Sequence, residues 1–485
     1  MIRKKSILPF ILVGLILPLG IFLIHFPLQI SIIISIISIT VLVLTTHTKL
    51  NLSILLFYSY IIIYPLSQIA SRTLFLKLMG RTIYIGDLIL LLLFFNFLLD
   101  LYKKTEKVKF HDLDKIIFLL FIVNIVFFIK GLINGNDRLF SDFRAISLFL
   151  FLYFPATILF KEISQIRKLF VFILCYSGAV GILGLLERYG FGESLFLPIA
   201  TEISLGYDVG DPGQIFGTPM YRLGRAVGYN LVGFSLFFGC LFFIYQQFFF
   251  KRFLFKFIWL LIILLNIALL ITTKIKGYIM LPLSLLETIL IIKLFSPIKN
   301  TPIIKRLSGL FLLIILLIVT VWIAMPEDWQ YYMKRFEGIY YEDPTETPSL
   351  ESRIAYARGD FESFKKAFFL GNGLGYRSFV FIPYRQRYYM ATGEVGIPFT
   401  LAMTGVVGFV LINALLLKLF WISFKILKNS NDILISIIAA AFCLSLINQI
   451  LLGHIWSDGT CFNIIINTLA LRVFSAEQSL EDKVC

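Results

Sequence analysis

Long apolar runs separated by polar connections occupy most of the chain. A helix needs about 20 apolar residues to cross the hydrocarbon core of a bilayer. Runs near that length lie at 7–25, 27–46, 52–69, 84–101, 115–133, 145–160, 169–186, 229–248, 257–273, 277–295, 307–325, 396–417, 432–452 and 459–473. The ninth and the last are marginal, so the pattern predicts 12–14 transmembrane helices. An unpaired backbone group in lipid costs several kcal/mol, which is why such runs are read as helices. The expected fold class is an all-α polytopic membrane protein.

Two connections are much longer than the rest: 187–228, with 42 residues, and 326–395, with 70. They divide the chain into N-terminal transmembrane helices (1–186), a first long outer loop (187–228), central helices (229–325), a large outer loop (326–395) and C-terminal helices with a tail (396–485). Long loops in compact proteins are usually functional or disordered. The second is not low-complexity. Ser352–Phe369 reads as an amphipathic helix, with Ile354, Phe361, Phe364 and Phe368 sharing a face. Pro348-Ser349 supplies its start and the GNGLG run at 371–375 its stop. Such a helix is expected to lie over the outer end of the bundle.

Composition supports lipid as the main solvent. The chain has 485 residues, 59% hydrophobic and only 15% charged, with mean hydropathy +0.89. Soluble domains run at about 45–50% apolar and about 25% charged, and single cores stop growing beyond about 300 residues. A soluble enzyme, a disordered chain and a collagen-like chain are excluded. A fibrous coiled coil is too, because the apolar runs are continuous and not heptad-spaced. Met1-Ile-Arg-Lys-Lys before an apolar stretch mimics a signal peptide. No small-residue cleavage site follows, so it reads as the first anchor.

The formal charge of +15 is explained mostly by topology. With the N-terminus inside, 24 Lys and Arg fall on the inner side and 20 on the outer. Nine of the outer ones lie in 326–395, a loop too long to obey the charge rule, which leaves 24 against 11. Both termini are therefore expected in the cytoplasm, and nucleic-acid binding is unsupported. Cys175, Cys240, Cys443, Cys461 and Cys485 are too scattered for a disulfide framework or a zinc site. His25, His47, His111 and His454 lie far apart. Neither a Walker motif nor a serine triad is present. The expectation is that no metal and no cofactor is used.

What topology leaves unexplained is a set of outer cations. Arg222 and Arg225 precede the eighth span; Lys274 and Lys276 sit in the turn between the ninth and tenth. Arg353 and Arg358 lie on the loop helix, and Arg385 and Arg387 near the loop's exit. A cation at mid-membrane costs roughly 2.5–3.5 kcal/mol on insertion scales. A phosphate at the lipid boundary would relieve such a charge, since arginine forks match phosphate oxygens. The competing account is snorkelling to lipid headgroups.

These residues carry a resemblance. The run SLESRIAYARGDFESFKKAFFLGNGLGYRSF at 349–379 resembles the outer loop of the bacterial O-antigen ligase and polymerase superfamily, where an Arg-bearing amphipathic helix precedes a Gly-x-Gly-x-Gly segment. LAMTGVVGFVLI at 401–412 resembles the Gly-x-x-Gly start of the following span. RLGRAVGYNLVGF at 222–234 is similar to the family's Arg, Gly and Asn pattern. TTKIKGYIM at 272–280 resembles its Thr-x-Ser-Arg-Gly turn, with Ile275 for Ser and Lys276 for Arg. The pieces occur in order across 187–417. The ligases carry a His about eleven residues before the first Gly of the next span. Aligning on Gly405 and Gly408 puts Glu394 there, an alternative register puts Arg385 there, and 326–395 contains no His. The polymerase branch is favoured. Arg222 to Gly233 and Arg385 to Gly396 also fit that branch's pattern of an Arg, ten residues and a Gly.

The resemblance implies a fold like that of the GT-C glycosyltransferases and a metal-independent, inverting transfer at the periplasmic face of the inner membrane. The donor it implies is an undecaprenyl-diphosphate oligosaccharide and the acceptor a second lipid-linked repeat unit. A chain-length regulator would be a further partner. Arg353 is the expected catalytic cation and Glu394 the expected base; Arg222, Arg225, Lys274, Lys276, Arg358 and Arg385 are the expected diphosphate ligands. Transfer of a finished glycan to lipid A core by a ligase is the alternative within the superfamily. A lipid-linked oligosaccharide flippase is the rival from another class. It predicts two similar halves with short loops, and 326–395 has no counterpart in the first half.

Overall fold

The computed structural model describes residues 52–69, 75–78, 81–102, 110–173, 286–297, 348–382, 387–390, 396–452 and 458–484, with a few isolated positions between 312 and 323. The described residues are mostly helical: α1 (Leu52–Ile69), α2 (Ile85–Tyr102), α3 (Asp112–Ile133), α4 (Leu139–Phe151), α5 (Tyr153–Leu159), α6 (Pro348–Lys366), α7 (Gly396–Asn429), α8 (Ile433–Leu452) and α9 (Asp458–Val484). Two antiparallel hairpins, β1 (Phe75–Leu78) with β2 (Arg81–Tyr84) and β3 (Phe379–Ile382) with β4 (Arg387–Met390), are the departure from an all-α expectation. Further helical segments occupy 163–173 and 286–295.

Four described helices are long and apolar enough to cross a membrane: Asp112–Ile133, Asp142–Leu159, Gly396–Asn429 and Leu434–Leu451. They mark the chain as a membrane protein. Of the expected spans, 7–25, 27–46, 229–248 and 257–273 lie outside the described residues. The helix expected over 145–160 is two pieces, α4 and α5, meeting at Leu152. α9 continues well past the expected end at 473, and Arg472 is buried within it.

The core is apolar and aromatic. Tyr58, Phe149, Phe170, Phe172, Phe399 and Phe442 are among its fully buried side chains. Edge-to-face ring contacts join it, such as Tyr58 to Phe172 at 4.7 Å and Phe57 to Phe160 at 5.0 Å, the geometry that ring quadrupoles favour.

Polar side chains gather at two levels. At the start of α3, Arg472 Nε donates to both oxygens of Asp114, at 2.8 and 3.1 Å. Tyr153 Oη donates to Asp114 Oδ1 at 2.7 Å, and the His111 N–H donates to Oδ2 at 2.8 Å. Arg167 pairs with Asp432 at 3.0 Å, and the Ile163 N–H donates to Glu477 at 2.8 Å. These contacts join 111–114 and 163–167, in connections that the sequence puts on the inner side, to 432 and 472–477, at the ends of expected spans. Near the other end of α3, Arg144 pairs with Asp87 at 2.9 Å, and Arg377 forks onto Asp142 at 2.7 and 2.9 Å. That level joins 87, near the start of the expected span 84–101, to 134–144 and 372–377, which belong to outer connections. Asp114 and Gly131 are 17 residues apart on one helix, about 25 Å at 1.5 Å per residue, close to the roughly 30 Å of a hydrocarbon core.

Candidate functional site

The large outer loop is fastened to the helices by a backbone junction. α7 is broken at Gly405, which has φ 64° and ψ −172°. In an unbroken helix the N–H groups of Val406 and Val407 would pair with the carbonyls of Ala402 and Met403. The break orphans all four groups, and orphans of this kind are costly away from water. The segment after α6 satisfies each of them. Val406 and Val407 donate to the carbonyls of Phe368 and Phe369, at 2.9 and 3.1 Å. The N–H groups of Asn372 and Gly373 donate to the carbonyls of Ala402 and Met403, at 2.9 and 2.8 Å. A stretch of loop thus takes the place of one helical turn.

The same segment is clamped from α3. The Leu374 N–H donates to the Phe127 carbonyl at 2.8 Å. Asn134 Nδ2 donates to the Asn372 carbonyl at 2.8 Å, and Asn136 Nδ2 to the carbonyls of Asn372 and Leu374 at 3.0 and 2.8 Å. Such close approach requires residues without a Cβ. At Gly373, with φ 86°, a Cβ would stand 2.3 Å from the Gly131 nitrogen. At Gly405 it would stand 2.3 Å from the Phe369 carbonyl oxygen. GNGLG therefore does more than end a helix: it is the contact surface.

α6 leads into this junction. Its inward face carries Tyr356, Asp360 and Phe364, all buried, and the half-buried Arg353. Three of the four residues read as its apolar face, Ile354, Phe361 and Phe368, are instead exposed, at 51%, 45% and 48%. Only Phe364 points inward. Arg353 and Arg358 are five residues apart, which turns them about 140° from one another. Arg358 is accordingly exposed. Arg353 and Asp360, seven apart, are nearly in line on the inward face.

Asp360 is 1% exposed. Its Oδ1 accepts a hydrogen bond from Ser378 Oγ at 2.6 Å, and Oδ2 has no hydrogen-bond partner. Burial lifts its pKa from 3.8 to about 6, against the opposing pull of the Ser378 hydroxyl and the Arg377 charge. Arg377 also lies over the Phe399 ring, 4.7 Å from its centroid. The guanidinium is thereby held by a carboxylate, a ring and the Tyr376 carbonyl, to which Nη1 donates at 2.8 Å. β3 crosses α6 at Gly359, where a Cβ would stand 2.4 Å from Val380 Cγ2. Phe379, Phe381 and Tyr388 of the hairpin are exposed, and the Phe381 and Tyr388 rings lie 5.3 Å apart.

Of the residues expected at the site, Arg353 and Arg358 are described and occupy different faces of α6. Arg222, Arg225, Lys274, Lys276, Arg385 and Glu394 lie outside the described residues. Arg387 begins β4. The residues that sequence reading did not single out are Asp142, Asn136, Asp360 and Arg377. Arg377 stands two positions past GNGLG, and Asn134 and Asn136 lie in a short polar connection at the same end. Among the described residues, no group of three or more His, Cys, Asp or Glu is placed to hold a metal ion. Comparison with protein-family models, curated proteins and solved structures returns no match.

Proposed function

We propose that the chain polymerises undecaprenyl-diphosphate-linked oligosaccharide repeat units at the periplasmic face of the bacterial inner membrane, as a metal-independent inverting glycosyltransferase. The observation that carries this reading is the placement of Arg353. It lies on the inward face of a loop helix that a glycine junction holds rigidly at one end of the membrane-crossing helices. A cation fixed there suits a diphosphate at the lipid boundary, because the reaction concentrates negative charge on the leaving diphosphate as the glycosidic carbon departs. A preorganised cation facing that charge lowers the barrier by several kcal/mol.

Arg225 and Lys276 complete the proposed clamp, with Arg222, Lys274 and Arg385 as further ligands. Arg358, turned to the opposite face of α6, is the weakest of the proposed ligands. Glu394 remains the proposed base for the acceptor hydroxyl. The product stays on lipid and the chain grows by repeat units.

Rescue of surface-glycan ladders in a polymerase-null strain tests the reading. Arg353→Ala and Lys276→Ala each abolish the ladder at normal protein level, with rate losses on the order of 10²-fold, and Arg358→Ala leaves most of it. Normal ladders from both Arg353→Ala and Lys276→Ala would overturn the clamp. Glycan appearing on lipid A core in place of longer lipid-linked chains would move the assignment to ligase.

A further inference from the structure

Arg358 apart, the exposed edge of α6 has no role in the reading above, and its composition is unusual for a surface in water. Along one stripe run Ile354, Arg358, Phe361, Lys365 and Phe368, spaced four, three, four and three residues apart, as one helical face requires. The edge continues into the turn with Phe369, 70% exposed, and Leu370, 47% exposed. The rings form a ladder: Phe361 to Phe364 at 5.8 Å, Phe364 to Phe368 at 5.1 Å, and Phe368 to Phe369 at 5.3 Å. Lys365 Nζ sits 5.1 Å from the Phe361 ring centroid, and Lys366 is exposed beside it.

A second observation says what covers this edge. α7 has its own exposed stripe, formed by Val407, Val410, Leu411, Leu417 and Trp421, with the exposed Lys418 on the same face between the last two. These positions also fall on one helical face, and they extend about 21 Å at 1.5 Å per residue. In a helix apolar enough to cross a membrane, that stripe is the lipid-facing side. The backbone junction joins the two stripes directly. Phe368 and Phe369 accept hydrogen bonds from Val406 and Val407, the residues at which the α7 stripe begins. The aromatic edge is thus the continuation of a lipid-facing surface at one end of a membrane-crossing helix.

Rings at that level flanked by lysines match the chemistry of the bilayer interface. Aromatic side chains partition to the boundary between acyl chains and headgroups, and lysine ammonium groups reach the phosphates just above. A lysine poised over a ring places both in one contact.

We propose that the Phe361–Leu370 edge of α6 is seated in the bilayer interface, with Phe361, Phe368, Phe369 and Leu370 among the lipid chains and Lys365 and Lys366 on lipid phosphates. The outer loop then has two mounts. The glycine junction fixes it to the helices, and the aromatic edge fixes its height at the headgroup level. Arg353 lies about 100° round the same helix from the centre of this stripe, on the face that carries the buried Tyr356 and Asp360. The proposal rests on the membrane character of α7 and not on the glycosyltransfer reading, so either can fail alone.

Photocrosslinking of the full chain in vesicles of phosphatidylethanolamine and phosphatidylglycerol tests it. A benzophenone amino acid replaces Phe369 in one preparation and the buried Phe364 in another, and adducts are identified by mass. The expected result is a mass increase of one phospholipid at position 369 and none at 364. Adducts from 369 to a second copy of the chain would overturn the proposal, as would adducts to another segment of the same chain or equal lipid labelling at both positions. A purely structural role for the edge predicts the second of these results.

Discussion

Replacing Gly373 with alanine attacks the junction at its tightest point. The added Cβ would meet the Gly131 nitrogen at 2.3 Å, its Cα at 2.6 Å and the Lys130 carbonyl carbon at 2.8 Å. All three are backbone atoms of α3, so no side chain can swing aside. The loop must retreat by about 1 Å to reach ordinary contact. That retreat breaks the Gly373 to Met403 and Leu374 to Phe127 hydrogen bonds, both 2.8 Å, at about 1 kcal/mol each or more in a dry setting. The left-handed backbone, φ 86°, adds about 1–2 kcal/mol for a residue with a Cβ. The sum is about 3–5 kcal/mol. Gly135 provides the control, since it has a similar φ of 67° with nothing within 4 Å. Gly135→Ala therefore carries the conformational cost alone, about 1–2 kcal/mol. Thermal unfolding of the purified protein, together with limited proteolysis across 366–377, measures both. Gly373→Ala is expected to be clearly the less stable and to open the loop to protease. Equal losses for the two variants would refute the argument that close backbone approach selects glycine here.

Two further outcomes follow from the polar clusters. Arg472→Met leaves the 1% exposed Asp114 carboxylate without its cation and costs about 3–5 kcal/mol; adding Asp114→Asn removes the stranded charge, so folded yield of the double variant should exceed that of the single one. Asp360→Asn should raise the unfolding temperature at pH 7–8 and leave it unchanged near pH 4. The Asp360 pKa is lifted to about 6 from 3.8, so the folded state binds this proton more tightly, and the stability it confers is complete below about pH 4 and lost as pH rises through 6. The shift corresponds to about 3 kcal/mol at 1.36 kcal/mol per pH unit, and a wild-type protein whose stability does not fall between pH 5 and 7 relative to the variant would contradict it.

The apolar pattern located the helices well. The runs at 52–69, 84–101, 115–133 and 432–452 match α1, α2, α3 and α8 within a few residues, because lipid demands near-continuous apolar sequence. Pro348 and GNGLG bracketed α6 correctly, since both act through local backbone geometry. The orientation of α6 was not legible. The apolar side of a helix turns inward only when water lies outside, and on this helix the apolar stripe faces out while Tyr356 and Asp360 face in. Pairings were equally hidden. Asp142 and Arg377 lie 235 residues apart, Asp114 and Arg472 lie 358 apart, and nothing local in one sequence ties such partners together. The break at Gly405 was visible only as a Gly-x-x-Gly pattern. That its four orphaned backbone groups are met by 368–373 is a property of the fold.

The pairing of Asp114 with Arg472 also sets a schedule. Chains emerge from the ribosome at about 5–20 residues per second, so roughly 20–70 s separate the synthesis of these two residues. Until Arg472 is made, the partners of the aspartate among the described residues are the His111 N–H and, once synthesised, Tyr153. The last described helix is therefore the closing element of assembly, and a chain that stalls before it carries an uncompensated buried carboxylate. Quality-control proteases would have a physical feature by which to tell unfinished copies from finished ones.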